Sequence, residues 1–307
     1  MKPVNFLKSA LLSAAIAMII PTANAQTVAH WNFESAVNHN TTEPVALSDD
    51  HILQSQTDPG PGGPEYVPDI SGNENHLVQY DNAGAFATNV PYSVTPQTGD
   101  KNQFSWNTKD GYDLYEQSPG ADGNPMSLGE LMSGQTHFTI EVTFKQINGG
   151  GFQALVAHDR EFGDSGDDDT PLGTFWLGIS EDSKIHYYSY NPDDTISITD
   201  DTQTGFGEFG VGPFIELDQW YSVVITGDGS KANIYLKKEG DTDFTLIHTH
   251  DIIGLAKSSA SWTIGRGWFE GPADSFKGLI DDVRISSSVL APENFLASPA
   301  PKPAKTD

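Results

Sequence analysis

The most constraining feature of the sequence is a run of strict alternation, HFTIEVTFKQI, between residues 137 and 147. From residue 138 to residue 145, apolar side chains occupy every second position, and threonine, glutamate or lysine stands between them. This period of two is typical of a β-strand with one face towards a core. The run therefore predicts that Phe138, Ile140, Val142 and Phe144 point inward and that Glu141 points outward.

Short runs of the same kind recur along the chain, separated by Gly, Pro, Asn and Asp. The segment QWYSVVITGDGSKANIYLKK predicts a hairpin that turns at residues 227–230, where glycine accepts positive φ angles. Residues 47–115 are less regular and predict loops and edge strands. Further strands are predicted at Val28–Glu34, Phe152–His158, Thr174–Ile179, Lys184–Tyr190, Thr195–Asp200, Phe244–His248, Ser261–Gly265 and Gly278–Ser286. Many short strands between turn residues predict an all-β sandwich or jelly roll.

The two ends of the chain differ from the rest. Residues 1–25 have the basic start, the apolar stretch and the final Ala-Asn-Ala of a secretory signal peptide. The tail at 298–307 is rich in proline and lysine and is predicted to be disordered. We therefore expect one domain over residues 26–297 in a secreted or periplasmic protein. The chain has no cysteine, which excludes disulfide bonds.

The charge of the chain limits its partners. Asp and Glu number 42 against 16 Lys and Arg, which gives a formal net charge of -26. Such a surface repels nucleic acid and anionic membranes, and no segment after residue 25 is apolar enough to predict membrane insertion. The charge also disfavours strongly polyanionic substrates, although an acidic surface can simply keep an exported protein soluble.

Five segments resemble, in their order, a known family: VAHWNFE, DISGNENHL, HFTIEVTFK, DQWYSVVITGDGSKANIYLK and GLIDDVRISSSVLAPENF. They are similar to the laminin-G-like, concanavalin A-like jelly rolls of bacterial exported proteins, and the similarity extends over residues 27–296. This resemblance implies a jelly-roll sandwich of two antiparallel sheets. It leaves the function open, because the superfamily includes lectins, carbohydrate-binding modules, glycoside hydrolases and polysaccharide lyases.

The resemblance also implies roles for residues in the last segment. It makes IDDVRI a core strand in which Ile280, Val283 and Ile285 point inward, while Arg284 pairs with an acid on a neighbouring strand. It further implies a structural Ca²⁺ near the meeting of the first and last strands, held by oxygen ligands. The candidate ligands are Glu34, Asp69, Asn73, Asn75 and Asp281. The alternative is that the residues around Asp69 form only a polar turn.

The first functional interpretation is a lectin-like protein that binds a polysaccharide or an oligosaccharide. Sugar sites combine aromatic platforms with charged or amide side chains, and the candidates here are Arg160, Trp176, Arg266 and Trp268. Arg266 and Trp268 stand in the Gly- and Pro-rich segment GRGWFEGPAD, so we expect both to be partly exposed. The oligomeric state is left open.

The second interpretation is a polysaccharide lyase that acts on a uronate-containing glycan by β-elimination. The run SKIHYYSYN places His186, Tyr188 and Tyr190 on one strand face. His186 or His158 would be the base, and Tyr188 or Tyr190 the acid. If the protein is an enzyme, glycoside hydrolysis is the less favoured activity, because no strand carries the paired carboxylates that it needs.

Two further possibilities stay open. A structural or adhesive surface protein would touch no sugar. The pair His248 and His250 falls on one strand face and is an incomplete pattern for Zn²⁺, because it has no third ligand in the sequence nearby.

Overall fold

The computed structural model describes residues 26–57, 60–79, 84–109, 111, 113–117, 127–159, 172–199 and 210–300. Within these ranges the chain forms two large antiparallel sheets that enclose one main core. This architecture confirms the predicted all-β sandwich. The signal-peptide segment and the end of the tail, residues 301–307, lie outside the described residues, so their assignment stays a prediction.

The first sheet contains eight strands in the described part of the chain, numbered here in chain order. Across the sheet they are β16 (Thr245–Asp251), β15 (Lys231–Lys238), β14 (Trp220–Asp228), β9 (His137–Gln146), β20 (Gly278–Ser286), β7 (Ser105–Asn107) and β6 (Ala85–Ala87). The eighth strand, β1 (Thr27–Trp31), also pairs with β20, so the first and last strands meet as expected.

The second sheet contains seven strands among the described residues. They are, in spatial order, β13 (Ile196–Ile198), β12 (Ile185–Tyr190), β11 (Phe175–Ile179), β10 (Gln153–His158), β17 (Trp262–Ile264), β8 (Leu114–Gln117) and β5 (His76–Gln79). The smaller elements are β2 (Ala36–Asn38), β3 (Pro44–Val45), β4 (Glu65–Tyr66), the hairpin of β18 (Gly267–Trp268) and β19 (Pro272–Ala273), the helix α1 (Leu128–Met132) and a 3-10 turn at Pro292–Asn294.

The alternation in β9 predicts its inner face correctly. Phe138, Ile140, Val142 and Phe144 are all buried in the main core. Side chains of the second sheet meet them there, because the inner faces of two packed sheets interdigitate. The hairpin between β14 and β15 also forms as predicted.

Strand β20 contains a β-bulge that the alternation alone does not show. The register with β9 shifts between Asp281 and Val283, and Asp282 has a φ of 23°. Ile280, Val283 and Ile285 are all fully buried in the core, which confirms their predicted direction. The bulge adds one residue to the strand, so Ile280 and Val283 both point inward although they are three positions apart.

Arg284 forms the predicted ion pair with an acid on a neighbouring strand. Its Nη2 lies 2.9 Å from Oε1 of Glu141 on β9, and its Nε donates to Oε2 of the same carboxylate at 3.0 Å. The same guanidinium donates to the carbonyl oxygen of Asn294. Glu141 is predicted to point outward, and it does, yet it is buried.

The segment 288–298 explains this burial, because it lies over the outer face of the first sheet. Thr139 donates from Oγ1 to the carbonyl oxygen of Ser288, and the backbone N–H of Leu296 donates to Glu141. Phe295 is fully buried against Val224 and Tyr235. We therefore regard residues 288–298 as a covering segment. Its last residue, Ser298, is predicted to begin the disordered tail, but it is buried here.

Candidate functional site

The outer face of the second sheet carries an aromatic cluster. Alternation sends Phe175 and Tyr187 into the main core and sends Trp176 and Tyr188 to the opposite face. There they pack with Ala154 and Ala157 and with four partly buried apolar residues. We call this group the outer aromatic cluster; its partly buried members are Phe152, Leu172, Tyr190 and Ile198.

The predicted residues of β12 lie in or beside this cluster. The rings of Trp176 and Tyr188 stack with centroids 6.2 Å apart. The His186 ring lies 5.2 Å from Trp176 and 6.3 Å from Tyr188, and its Nδ1 is 3.0 Å from Oγ1 of Thr199. The structure therefore brings Trp176, His186 and Tyr188 together, with Tyr190 packed against them.

These side chains are nevertheless buried rather than open to a ligand. Trp176 is 1% exposed, and Tyr188 and His186 are both 5% exposed. Burial also raises the pKa of the Tyr188 hydroxyl well above its ordinary value. A buried phenol of this kind holds its proton more tightly than a solvated one.

The β18–β19 hairpin covers Trp176. A Cβ added to Gly267 would lie 2.5 Å from Nε1 of Trp176, so only glycine allows the hairpin backbone to pass this close. Leu172 forms a bridge with Phe269, and the N–H of Gly173 donates to the carbonyl oxygen of Trp268. Leu172 and Gly173 thus hold the hairpin against the cluster.

The tip of this hairpin reaches solvent. Trp268 is half-buried, and Phe269 is 52% exposed. Glu270 follows in a left-handed conformation with a φ of 56°. Phe269 is not among the ligand contacts that the sequence predicts. The signal available was its place in a Gly- and Pro-rich turn.

Arg266 is not exposed, contrary to the prediction that it is exposed together with Trp268. It is buried, and its Nη1 and Nη2 donate to the two carboxylate oxygens of Asp159 at 2.8 and 2.9 Å. Its Nε donates to Asp113 at 2.7 Å, and its guanidinium lies 5.8 Å from the Trp268 ring centroid. Two carboxylates that come from distant parts of the chain therefore neutralise it.

The surroundings of the hairpin are acidic. Burial raises the pKa of Asp159, although the hydrogen bonds from Arg266 oppose this shift. Burial also raises the pKa of Asp274, which follows β19. Asp113, Asp159 and Asp274 thus outnumber the single guanidinium among the described residues near the hairpin.

Two predicted residues do not join the outer cluster. His158 is stacked on Trp262 with a centroid distance of 4.8 Å, on the core side of β10. Its Nε2 lies 2.8 Å from the carbonyl oxygen of Ala260 and its Nδ1 2.8 Å from Oγ1 of Thr174, and burial lowers its pKa to about 4. His158 and His186 therefore lie on opposite faces of the sheet. Arg160 lies outside the described residues.

The five predicted Ca²⁺ ligands form two separate hydrogen-bonded sets. The first set is a turn. Asp69 accepts N–H donors from His30, Ser71 and Asn75, while Asn73 and Asn75 donate to backbone carbonyls at the start of β1. Both Asp69 oxygens accept hydrogen bonds within this turn, whereas Oδ1 of Asn75 is buried and has no hydrogen-bond partner among the described residues.

The second set lies around the bulge. Oε1 of Glu34 accepts two backbone N–H groups, and Oδ2 of Asp281 accepts from Asn102 at 2.7 Å. Oδ1 of Asp281 is buried and has no hydrogen-bond partner. Burial is the main cause that raises the pKa of both acids, and the neighbouring carboxylate of Asp282 adds to it.

Asp282 itself is already engaged. Tyr92 donates to its Oδ2 at 3.1 Å, and Nε2 of His30 lies 3.4 Å from its Oδ1. Across the described ranges, no group of three or more His, Asp or Glu side chains is placed to hold a metal ion. A search of the same ranges for a helix long and apolar enough to cross a membrane also found none.

Comparison with known families identifies the fold. A family model named Laminin_G_3, of the concanavalin A-like lectin/glucanases superfamily, matches residues 120–294, more than half of the chain. The chain belongs to this superfamily. The predicted resemblance is therefore confirmed, and the superfamily's name covers both sugar-binding and sugar-cleaving proteins. No curated protein matches the sequence.

Solved structures with a similar fold include three that hold sugars or act on them. Domain 4 of AbnA, a GH43 extracellular arabinanase from Geobacillus stearothermophilus in complex with arabinotriose, is 15% identical, with 88% of this chain and 96% of that chain covered and a TM-score of 0.43. The CBM40 of the Ruminococcus gnavus IT-sialidase, bound to α2,3 sialyllactose, is 15% identical, with 54% and 83% covered and a TM-score of 0.40. An arabinofuranosidase complexed with arabinofuranosyl-α-1,2-xylobiose is 11% identical, with 87% and 60% covered and a TM-score of 0.40.

Proposed function

We propose that the protein binds a glycan at the tip of the β18–β19 hairpin. The observation that carries this proposal is the exposed Phe269 beside the half-buried Trp268, next to a group of carboxylates. Aromatic rings pack against the C–H faces of sugars, and carboxylates accept hydrogen bonds from sugar hydroxyls. The outer aromatic cluster supports the hairpin from below, which keeps the two rings in place before a ligand arrives.

The charge near the hairpin favours an uncharged glycan. A uronate, sialate or sulfate group needs a cation that is free to pair with it. Arg266 already binds Asp159 through two hydrogen bonds and Asp113 through a third, so its donors are directed at protein acids. The remaining field is negative, which repels an anionic polymer.

The lyase alternative has less support from the geometry. His186 and Tyr188 stand together as predicted, but both are nearly inaccessible. The raised pKa of Tyr188 makes its hydroxyl a poor proton donor at neutral pH. We therefore propose binding without cleavage.

A panel of polysaccharides tests both parts of this proposal. The mature protein would be incubated overnight with neutral arabinan, xylan and β-glucan and with anionic pectate and alginate. Affinity gel electrophoresis would then measure retardation, and size-exclusion chromatography would measure polymer length. We expect retardation by at least one neutral polymer, with its length unchanged.

Three outcomes would contradict parts of the proposal. Retardation only by pectate or alginate would exclude the neutral class. Shortened polymers would make the protein an enzyme, and ultraviolet absorbance of the fragments would identify β-elimination. Absence of retardation by every polymer in the panel would favour the structural or adhesive alternative.

We also propose that the predicted Ca²⁺, if it binds near the first and last strands, uses Asp281 and Glu34 rather than the Asp69 turn. The unpartnered Oδ1 of Asp281 is the donor atom that fits a cation there, with backbone and water oxygens completing the shell. Bound Ca²⁺ would neutralise the buried acids. We expect Ca²⁺ to raise the melting temperature relative to EDTA in the wild type and not in D281N. Equal stabilisation of both proteins would exclude this site.

A further inference from the structure

The edge strand β16 carries two histidines on its inner side. His248 pairs in register with Ile234, and His250 pairs with Ala232. Residues that pair directly on neighbouring strands share a face, and both Ile234 and Ala232 belong to the main core. The two imidazole rings therefore point into the gap between the sheets, at the open edge of the sandwich.

The gap holds polar atoms that the protein does not satisfy. Both ring nitrogens of His250 are buried and have no hydrogen-bond partner among the described residues. Tyr187 enters from β12 in the opposite sheet, with its ring centroid 5.0 Å from that of His250. Its hydroxyl is also buried and has no partner of normal geometry there. Buried polar atoms without partners are uncommon in folded proteins and call for a specific explanation.

The spacing of the two rings fits a shared ligand. Their centroids are 5.3 Å apart with an angle of 33° between the planes. Two imidazoles on one tetrahedral ion, each with its nitrogen about 2.0–2.1 Å from the metal, have centroids roughly 5 Å apart. His248 is only partly buried, so an ion can enter from solvent.

The histidines are also in the form that binds metals. Burial lowers the pKa of both rings, and that of His250 falls to about 4. Neutral imidazole offers a nitrogen lone pair to a metal ion, whereas the protonated ring cannot. At neutral pH both rings are therefore free of the proton that would compete with a metal.

We propose that His248 and His250 bind one divalent transition-metal ion of borderline softness, such as Zn²⁺ or Cu²⁺. Imidazole nitrogens favour these ions over Ca²⁺ and Mg²⁺, which prefer oxygen ligands. Water completes the coordination shell, with Tyr187 forming the wall of the site. The ion would therefore lie at the open edge of the sandwich, between β16 of the first sheet and β12 of the second. This site is independent of the proposed glycan site.

Titration of the mature protein with Zn²⁺ and with Cu²⁺ tests this proposal. Isothermal calorimetry at pH 7.5 should show one equivalent bound, and electron paramagnetic resonance of the Cu²⁺ form should show two nitrogen ligands. We expect His248→Ala to weaken metal binding at least about tenfold. Loss of a residue that only supports a metal ligand already weakens binding by about that factor, and His248 is proposed to be a ligand itself. His250→Gln should do the same.

The control is His137→Ala, which removes an exposed histidine from β9 in the same sheet. It should leave the affinity unchanged. Because His250 is the more buried ring, circular dichroism must show that His250→Gln is folded, and His248→Ala supplies the test if it is not. Metal binding that is unchanged in His248→Ala, or the absence of binding by the wild type, would overturn the proposal.

Discussion

The outer faces of the two sheets follow the same alternation but have different surroundings. On the first sheet, Glu141 and its neighbours are sealed beneath residues 288–298, and the charge is paired with Arg284. On the second sheet, Trp176 lies beneath a hairpin whose tip leaves Phe269 exposed. The period-two alternation of a strand therefore shows which side chains point away from the core. The segment that lies over them decides whether they serve stability or face a ligand.

The largest effect is expected from breaking the covered ion pair of the first sheet. R284A leaves the buried Glu141 carboxylate without its cation. Removing one partner of a buried pair typically costs about 3–5 kcal/mol in the free energy of unfolding. Urea denaturation of R284A and wild type would measure this difference.

The stability that R284A loses should also depend on pH. Burial raises the pKa of Glu141, and Arg284 is the main opposing influence. Without Arg284 the folded carboxylate should protonate more readily, so the loss of stability should be smaller at about pH 5 than at pH 8. The double variant E141Q/R284Q, which has no buried charge, should be more stable than R284A at pH 8. A loss that is the same at both pH values would show that Arg284 acts by packing alone.

The second largest effect on stability is expected at the β18–β19 hairpin, which covers the outer face of the second sheet. G267A forces a methyl group into the Trp176 indole, which should lift the hairpin. Overpacking of this kind typically costs about 1–3 kcal/mol. Thermal unfolding would measure the loss, and G149A is the control, because its added Cβ meets its nearest atom at an ordinary 3.8 Å. If G267A unfolds like G149A, the hairpin does not depend on its contact with Trp176.

The third effect is the pH dependence of the bulge in β20. The pKa of Asp281 is raised in the folded protein by burial, so the folded state holds this proton more tightly than the unfolded chain. The resulting stability is present at acidic pH and is lost as the pH rises above the ordinary value of about 4. In EDTA, the melting temperature of D281N should therefore fall less than that of the wild type as the pH rises from about 5 to 8.

The matched control for D281N is D100N, which changes an exposed aspartate. It should follow the wild-type profile. Parallel profiles for D281N and wild type would mean that Asp281 has the same pKa in the folded and unfolded states.

The smallest effect is expected at the exposed tip. F269A removes one ring from the proposed glycan site, and an aromatic contact of this kind is worth about 0.5–1.5 kcal/mol, or roughly two- to tenfold in affinity. Its stability should stay within about 0.5 kcal/mol of wild type, as is usual for surface changes. F214A, at a phenylalanine that is 66% exposed beyond the other end of β12, should leave the affinity unchanged. Equal affinities for F269A and wild type would place the ligand elsewhere.

The sequence by itself determined the local parts of this protein. The alternation of β9 and the turn between β14 and β15 follow from short-range periodicity and turn chemistry, and both are observed. The inward residues of IDDVRI are implied by the family resemblance, and they are also observed. The resemblance to the jelly rolls also set the meeting of the first and last strands. The alternation and the turn depend only on residues that are neighbours along the chain.

Only the tertiary structure decided how the candidate site is arranged. Arg266 is predicted to be exposed, but its partners Asp113 and Asp159 come from 153 and 107 residues away and bury it. The separation of Asp69 from the acids at the bulge, and the placement of His158 and His186 on opposite faces, also depend on distant contacts. Strand periodicity carries no information about which remote segment will cover a given face. That choice is made when the sheets and their covering segments pack together.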